Sequence, residues 1–379
     1  MSNTNKGLEG VVIGQTTISQ VAGEAGQLVY GGYRIEDLAE NTSFEEVCHL
    51  LWYGALPTGA QLGALRRRLA AAMAVGDRVL DVVRCVAADS HPMASLRTAV
   101  SALSAADPDA EDMSAEAADR KAVRLTAQVI TLTAAIERIR RGNDPIAPRE
   151  DLSLAANLLY MMQDEVPDEL AERIIDAALT LHAEHGMNAS TFSARVTAST
   201  LADMHSAVTS AIGTLKGSLH GGANERVMQM LLTIDRPENA AQWVRDALGR
   251  GEKIMGFGHR VYRTVDPRAP ILKRLAEELL GRGGDTRWLE ISEVIQATMH
   301  EEMERRGKKI YPNVDFFSAS VYYTLGIPMD LFTNLFACAR MAGWTAHVKE
   351  QLSDNRLIRP KAEYVGPRDL TVVPVAQRS

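Results

Sequence analysis

The chain has 379 residues, of which 46% are hydrophobic and 23% are charged. This composition excludes a disordered chain, a collagen-like fibre and a disulfide scaffold. With 41 Lys and Arg against 48 Asp and Glu, the net charge of −7 gives the chain as a whole no electrostatic footprint for nucleic acid. Aromatic residues make up only 5%, which argues against a β-barrel, a β-sandwich and a nucleic-acid binder built on stacked aromatics.

The length predicts about two domains. Cys48, Cys85 and Cys338 are too scattered for a disulfide framework or a zinc site, and they favour free thiols in a reducing compartment. The N-terminus has no apolar signal segment, and no window approaches about 18 uninterrupted apolar residues. We therefore expect a cytoplasmic protein that binds no membrane.

In chain order, glycine-rich apolar runs at 10–14 and 28–30 predict short strands and turns. Capping boxes predict two helices that begin after Ser43 and Thr58. Apolar residues at every third or fourth position predict a long helix over 119–141. Further helices are predicted over 167–185, 194–215, 224–234, 238–250, 268–281, 287–306, 315–325 and 331–352. The fold class is therefore all-α, that is, mainly α-helical.

Three segments interrupt the helices with glycine, proline and ionisable residues. They cover residues 216–225, 256–268 and 311–318. They contain His220, His259 and Asp315, and loops on a rigid scaffold are where catalytic groups concentrate. Each residue alone has a simpler interpretation. A histidine beside glycine is usually a surface or capping residue, and Asp315 could be the N-cap of the helix that follows.

Two other patterns point to ligands but are incomplete. His182 and His185 are three residues apart on a helix and could share a metal ion, but no third ligand is near them in sequence. The segment 256–258 begins like a dinucleotide fingerprint, but it has neither a third glycine nor a preceding strand. We therefore predict no metal site and no tightly bound cofactor.

Taken together, the three segments resemble the citrate synthase family. The resemblance covers nearly the whole chain, and it includes the residues at 7–11, 91–93, 96–98, 184–185, 188–191 and 357–360. It implies an almost entirely helical fold with short β-hairpin elements near the N-terminus. A large domain would comprise 1–221 and 327–379, and a smaller inserted helical domain would comprise 222–326.

The resemblance also implies an activity. The family condenses acetyl-CoA with oxaloacetate and water to give citrate and CoA, the first step of the tricarboxylic acid cycle. Removing a methyl proton requires a nearby base and a donor for the developing enolate oxygen. By resemblance Asp315 is the base and His220 is the neutral donor, while His259 polarises the ketone of oxaloacetate.

The two carboxylates of oxaloacetate call for arginine, which binds carboxylates in bidentate pairs. The resemblance places such arginines at Arg268, Arg340 and Arg359, with His185 as a further contact and Arg97 as another candidate. Arg340 lies within an apolar run, where an unpaired charge would be costly. In the family Arg359 reaches the site of the partner subunit, so the resemblance implies a homodimer.

Acetyl-CoA is expected as a co-substrate. Its adenine should lie against the backbone of Lys253, Ile254, Met255, Gly256 and Phe257, and its phosphates near Arg263 and Lys308. Ser218 and Asn334 stand where proline is frequent in the family, but neither change removes a functional group. The chain resembles the short dimeric members, which lack the N-terminal extension that carries nucleotide regulation. We therefore expect an active dimer without that allosteric site.

Three alternatives stay open. The first is 2-methylcitrate synthase, which uses propionyl-CoA, because one methylene changes discrimination by only about 1–3 kcal/mol. The second is a catalytically inactive helical scaffold, and the intact His220, His259 and Asp315 argue against it. The third is a helical metal-binding protein.

Overall fold

The computed structural model describes residues 5–8, 10–259, 261–281 and 286–378. Residue 260, within the second of the three interrupting segments, lies outside the described part. The predicted all-α class is confirmed, since the described residues form sixteen α-helices and one three-stranded antiparallel sheet. No helix within the described ranges has the length and apolar character that a bilayer crossing requires.

The first half of the chain contains the sheet and eight helices. Their bounds are β1 Ser19–Ala22, β2 Gln27–Tyr30, β3 Tyr33–Arg34, α1 Ile35–Asn41, α2 Phe44–Tyr53, α3 Gly59–Ala72, α4 Asp77–Val86, α5 Pro92–Leu103, α6 Ala115–Arg140, α7 Leu154–Gln163 and α8 Glu169–His182. The capping boxes at Ser43 and Thr58 form as predicted, with reciprocal side-chain and backbone hydrogen bonds.

Eight helices follow within the described residues. They are α9 Ala189–Ser199, α10 Met204–Leu215, α11 Ala223–Ile234, α12 Pro237–Gly249, α13 Ala269–Leu280, α14 Arg287–Arg305, α15 Val314–Thr324 and α16 Phe332–Ser353. The helix predicted over 194–215 is wrong as one element. Leu201 has a left-handed backbone at φ 65°, and the Asp203 side chain caps the new helix by accepting from the amide of Ser206.

Other predictions about the elements also need correction. The run 10–14 is exposed and forms no strand. The helix expected from Pro167 begins two residues later, because Asp168 is its N-cap. Four helices, α1, α4, α5 and α7, were not predicted. Of these, α7 is buried on most of its faces and therefore has no amphipathic period to detect, and α5 begins with the unusual N-cap His91.

The core is organised around α16, which is buried almost without interruption from Phe332 to Val348. Helices α2, α6, α8, α9 and α10 pack against it. Helices α11 to α15 form a second group that packs mainly on itself, and it meets the first group where α11 contacts α16 and α13 contacts α8. The three segments of interest lie where these two groups of helices meet.

Candidate active site

His220 lies in the turn between α10 and α11. The turn is fixed by two backbone bonds, from the amide of His220 to the Gly217 carbonyl at 2.9 Å and from the amide of Gly221 to the Leu215 carbonyl at 2.9 Å. The imidazole therefore projects from the end of α10 towards the first turn of α9.

The ring of His220 is held by Ser190 at the start of α9. Its Nε2 accepts from the Ser190 amide at 3.3 Å and lies 2.8 Å from the Ser190 hydroxyl. That hydroxyl accepts a bond from the indole of Trp344 in α16 at 3.1 Å. The Ser190 amide and hydroxyl also donate to the Oδ1 of Asn188, at 3.1 and 2.8 Å. Since a backbone amide can only donate, its second bond, to Nε2, assigns the proton of the neutral ring to Nδ1. Burial, with a further contribution from Arg340, lowers the pKa of His220 to about 4.

His259 is held in the opposite way. Its Nδ1 accepts from the amides of Val261 and Tyr262 at 3.0 and 3.1 Å, so the proton of the neutral ring is on Nε2. Burial and, to a smaller extent, the charge of Arg268 together lower the pKa of His259 to about 4, against the opposing effect of Asp266. Both histidines are therefore neutral near pH 7, and they offer different nitrogens as donors.

Asp315 is the second residue of α15, and its interpretation as an N-cap is wrong. The cap is Asn313, whose side chain accepts from the Asp315 amide at 3.0 Å. The Asp315 carboxylate itself accepts no hydrogen bond from the described residues. Burial raises the pKa of Asp315 to about 6, Asp266 contributes in the same direction, and Arg268 opposes them. This carboxyl group is free to accept a proton from elsewhere.

Gly256 connects the second segment to the helix of Asp315. Its carbonyl accepts from the amide of Asn313 at 2.8 Å. A Cβ at this position would lie 2.9 Å from side-chain atoms of both Phe316 and Val227, and the residue has φ 78°. Only glycine meets both conditions, so the turn that precedes His259 packs directly onto α15 and α11.

Two buried arginines lie beside these groups. Arg268 is 3% exposed and binds Asp266 through Nε and Nη2 at 3.0 and 2.8 Å. Arg340 is 1% exposed, and its Nε donates to the His182 carbonyl at 2.7 Å, but its Nη1 has no hydrogen-bond partner among the described residues. Burial lowers the pKa of Arg340 to about 10. A buried cation with an open donor is costly unless an anion joins it.

The charges show that the residues share one site. Arg268 and Arg340 each alter the pKa of Asp315 and of His185. The ring of His185 lies 5.3 Å from that of His259, and its Nε2 is 3.3 Å from the hydroxyl of Tyr262. Burial, followed by the effect of Arg268, holds the pKa of His185 well below its usual value. Five of the predicted catalytic and substrate-binding residues thus lie around one centre: His185, His259, Arg268, Asp315 and Arg340. His220 is linked to this centre because the charge of Arg340 lowers its pKa.

Arg97 and Arg359 are not brought to this centre within the described part of the chain. Arg97 is exposed on α5, where its side chain lies 3.6 Å from the position that a Cβ of Gly213 would take. Arg359 is exposed on the segment that follows α16. Both assignments therefore stay predictions.

The predicted CoA contacts lie beside His259. Ile254 and Gly256 are buried, Met255 and Phe257 are half-buried, and Lys253 is exposed. A cleft of about 270 Å³ adjoins this segment, and it is lined by Arg263 and Lys309 among others. Lys308 is exposed and is absent from that lining, so the neighbouring Lys309 is the lysine that the structure places on the cleft.

Several supporting residues were not predicted from the sequence alone. Ser190 lies within the run 188–191 that carried part of the resemblance, but nothing local shows that it faces His220. Asp266 had a local signal, since an acidic residue two positions before a buried arginine can pair with it. Glu184 and His347 are both fully buried and 3.1 Å apart. That pair joins residues far apart in sequence, so no local pattern reveals it.

His182 does not share a ligand with His185. Its Nδ1 lies 2.8 Å from the Ala178 carbonyl, one turn earlier in α8, and its ring packs on Phe336. The two histidines therefore face different partners, although they are three residues apart.

The arrangement defines a class of protein: a helical enzyme that removes a proton beside a carbonyl group and binds an anionic substrate. A carboxylate poised near neutrality, two neutral imidazole donors and two buried guanidinium groups are what that chemistry requires.

The comparisons agree with this class. The family described as "Citrate synthase, C-terminal domain" matches residues 7–361. The citrate synthase of Haloferax volcanii is 53% identical over 98% of both chains, and a 2-methylcitrate synthase of Mycobacterium tuberculosis is 46% identical over 95% of this chain and 90% of its own. The citrate synthase of Thermoplasma acidophilum, solved as a ternary complex with carboxymethyl coenzyme A and oxaloacetate, superposes with a TM-score of 0.93 at 33% identity over the full length of both chains.

The chain belongs to the citrate synthase family and is an enzyme of that family. The family predicted from the three segments is therefore confirmed.

Proposed function

We propose that this enzyme condenses acetyl-CoA with oxaloacetate and water to give citrate and CoA. The observation that carries the proposal is the state of Asp315, a half-buried carboxyl group that accepts no hydrogen bond from the described residues and whose pKa is altered by Arg268 and Arg340. The similarity to the Haloferax citrate synthase supports the same activity.

The first step is removal of a proton from the methyl group of acetyl-CoA by Asp315. A pKa near 6 keeps most of this carboxyl group ionised at neutral pH and makes it a stronger base than an ordinary aspartate. The proton moves to the carboxylate, and the electron pair of the C–H bond moves into the thioester to form an enolate.

His220 stabilises that enolate. Its Nδ1–H is the free donor, because Nε2 is occupied by Ser190. A low pKa keeps the ring neutral, so it donates a hydrogen bond to the enolate oxygen without carrying a full positive charge.

His259 acts on the second substrate. Its Nε2–H donates to the ketone oxygen of oxaloacetate, which makes the ketone carbon more electrophilic. The enolate carbon attacks that carbon to form the new C–C bond as the π bond of the ketone breaks. The resulting alkoxide receives the Nε2 proton of His259, which then takes a proton back from water. Water then cleaves the thioester and releases CoA.

Oxaloacetate is held by Arg268 and Arg340. The open Nη1 of Arg340 supplies a hydrogen-bond donor for a carboxylate that the folded chain leaves unpaired. His185 is a further substrate contact. Arg97 is retained as a proposed contact although it lies away from this centre in the single chain.

Arg359 would complete the site from a second copy, which makes the enzyme a homodimer. Its exposed position on the segment after α16 leaves it accessible to another chain. Acetyl-CoA would lie along the segment 253–257 and the adjoining cleft, with Arg263 near its phosphates and Lys309 on the same cleft. Lys308 is retained as a proposed phosphate contact although it is absent from the cleft lining.

The proposed site would lie between a large and a small domain. Residues 222–326 would form the small domain, and the self-packing of α11 to α15 supports that division. His259, Arg268 and Asp315 would then belong to the small domain, and His185, His220 and Arg340 to the large one. The site would be assembled where they close on each other.

The second candidate function is that of a 2-methylcitrate synthase, and the 46% identity to the mycobacterial enzyme supports it. The test is kcat/KM for acetyl-CoA and propionyl-CoA with oxaloacetate. We expect acetyl-CoA to be preferred by at least about 10-fold, the lower end of what one methylene provides. A preference for propionyl-CoA would establish the second candidate, and no turnover of either would contradict both.

A further inference from the structure

The turn between β1 and β2 lies directly against the loop that holds His259. The last pair of this hairpin joins Ala22 to Gln27, so the turn comprises residues 23–26. The amide of Arg263 donates to the carbonyl of Gly23 at 3.1 Å. Two segments from opposite parts of the sequence are thus joined backbone to backbone beside the site.

Gly23 is the closest point of this contact. A Cβ at this position would lie 2.2 Å from the carbonyl oxygen of Val261 and 2.8 Å from its carbonyl carbon. At Gly26, which has φ 63°, a Cβ would lie 2.6 Å from the methyl group of Thr264. The atoms that face Gly23 belong to the backbone, so they cannot move aside as the end of a side chain would.

The same hairpin holds the segment that carries His185. The hydroxyl of Ser19 in β1 donates to the Glu184 carboxylate at 3.0 Å and accepts from the amide of Gly186 at 3.2 Å. In β2 the hydroxyl of Tyr30 donates to the Glu184 carbonyl at 2.7 Å. The residues on both sides of His185 are therefore attached to the hairpin.

The two attachments determine how the substrate-facing rings meet. Val261 and Tyr262 supply the amides that orient His259, and the hydroxyl of Tyr262 lies 3.3 Å from Nε2 of His185. If the 261–265 loop moved away from the hairpin, His259 would move with the loop while His185 stayed attached to the hairpin. The two rings would therefore move apart.

We propose that the β1–β2 hairpin is a positioning element of the active site, with Gly23 as its key residue, and that it holds the His259 loop against the His185 segment in the geometry that binds oxaloacetate. The proposal rests on the proposed function. Gly23 contacts neither substrate in this account, and it acts only through the loop. The Asp315 helix also has attachments of its own, from the amide of Asn313 to the carbonyl of Gly256 and from the amide of Val314 to the carboxylate of Asp266.

The test is Gly23→Ala, with Gly14→Ala as the matched control. Gly14 belongs to the same N-terminal region, and a Cβ there would meet nothing within 4 Å. For Gly23→Ala we expect the KM for oxaloacetate to rise by at least about 10-fold, since misplacement by 1 Å can cost about 10²-fold. We expect the KM for acetyl-CoA to rise by a smaller factor, because Arg263 lies on the same loop, and Gly14→Ala to match the unmodified enzyme in both.

Hydrogen exchange provides a readout that does not depend on activity. In the unmodified enzyme the Arg263 amide is bonded to Gly23 and should exchange slowly. In Gly23→Ala the peptide that contains residues 261–265 should exchange faster, while the peptides of α16 stay unchanged.

Ser19→Ala is the second variant, in case Gly23→Ala fails to fold. It removes only the hydroxyl that bridges Glu184 and Gly186, and we expect the KM for oxaloacetate to rise about 2–10-fold, the range expected for one hydrogen bond.

The outcomes separate the two proposals. The positioning role would be overturned if Gly23→Ala matched the unmodified enzyme both in the KM for oxaloacetate and in the hydrogen-exchange rate of residues 261–265. So would a uniform fall in kcat and in unfolding temperature with both KM values unchanged. If the unmodified enzyme turned over no oxaloacetate, the proposed function would fall. The exchange comparison would still decide whether the hairpin holds the loop.

Discussion

The surroundings of His220 and His259 are the most instructive comparison in the molecule. Both rings are neutral, and burial lowers the pKa of each to about 4. His220 is oriented at Nε2 by Ser190, which Trp344 supports from the central helix. His259 is oriented at Nδ1 by two amides of its own loop.

The difference shows how a fold selects one of the two imidazole nitrogens. A donor aimed at one nitrogen leaves the proton on the other, so the position of the donor decides which N–H faces the substrate. At His220 that donor is built into packed helices. At His259 it belongs to a loop whose position depends on the β1–β2 hairpin. The first orientation should resist perturbation, and the second should depend on remote contacts.

The largest effect is expected from Asp315→Asn, which removes the base that both histidines serve. We expect kcat to fall about 10²–10⁴-fold, because the amide cannot accept the methyl proton. The measurement is steady-state CoA release, with Asp164→Asn as control, because Asp164 ends α7 in a left-handed conformation that asparagine tolerates. A kcat within threefold of the unmodified enzyme would refute the role of Asp315.

The next effect separates the two histidines. We expect His220→Ala to lower kcat about 10²–10³-fold, the cost of losing one donor to a developing oxyanion. The measurement is exchange of the acetyl-CoA methyl protons with D₂O in the presence of a dicarboxylate that lacks the reactive ketone. Exchange should be lost in His220→Ala and retained in His259→Ala. Equal exchange in the two variants would show that the division of roles is wrong.

The pH dependence of kcat/KM should reflect the ionisation of Asp315 and of no other group in the site. Asp315 must be ionised to act, so kcat/KM should rise with pH up to about 6 and then level off. Below that value it should fall about 10-fold per pH unit. The two histidines titrate near 4 and contribute nothing above pH 5. A limb that persisted unchanged in Asp315→Asn would assign the titration to another group.

The smallest effect is expected from Ser190→Ala, which weakens the orientation of His220. The Ser190 amide still donates to Nε2, so we expect kcat to fall only about 2–10-fold, with the KM for oxaloacetate unchanged. Ser193→Ala is the matched control, since Ser193 lies on the same helix and pairs with Ser210. A larger loss in the control than in Ser190→Ala would contradict the account.

Much of this fold was predictable because its signals are local. The capping boxes at Ser43 and Thr58 place α2 and α3, and periodic apolar residues place α6. Helices buried on several faces carry no such period, which is why α7 was missed. The break between α9 and α10 depends on the left-handed backbone of Leu201. Leucine rarely adopts that conformation, so the sequence does not predict a break there.

In the site, too, some features were predictable from local sequence and others were not. His220, His259 and Asp315 stand out because glycine, proline and ionisable residues occur together in their segments. The contacts that tune them were not predictable, because Ser190 with His220 and Gly23 with Arg263 are adjacent only after folding. Local sequence therefore indicated which residues have a chemical role, while packing decides which atoms they present.

The most direct test is the tautomeric state of the two rings. The chain has nine histidines, and selective ¹⁵N labelling with the variants His220→Asn and His259→Asn assigns two of them by NMR. We predict that at pH 7 both rings are neutral, with the proton on Nδ1 of His220 and on Nε2 of His259. The same tautomer in both rings, or an imidazolium in either, would contradict it.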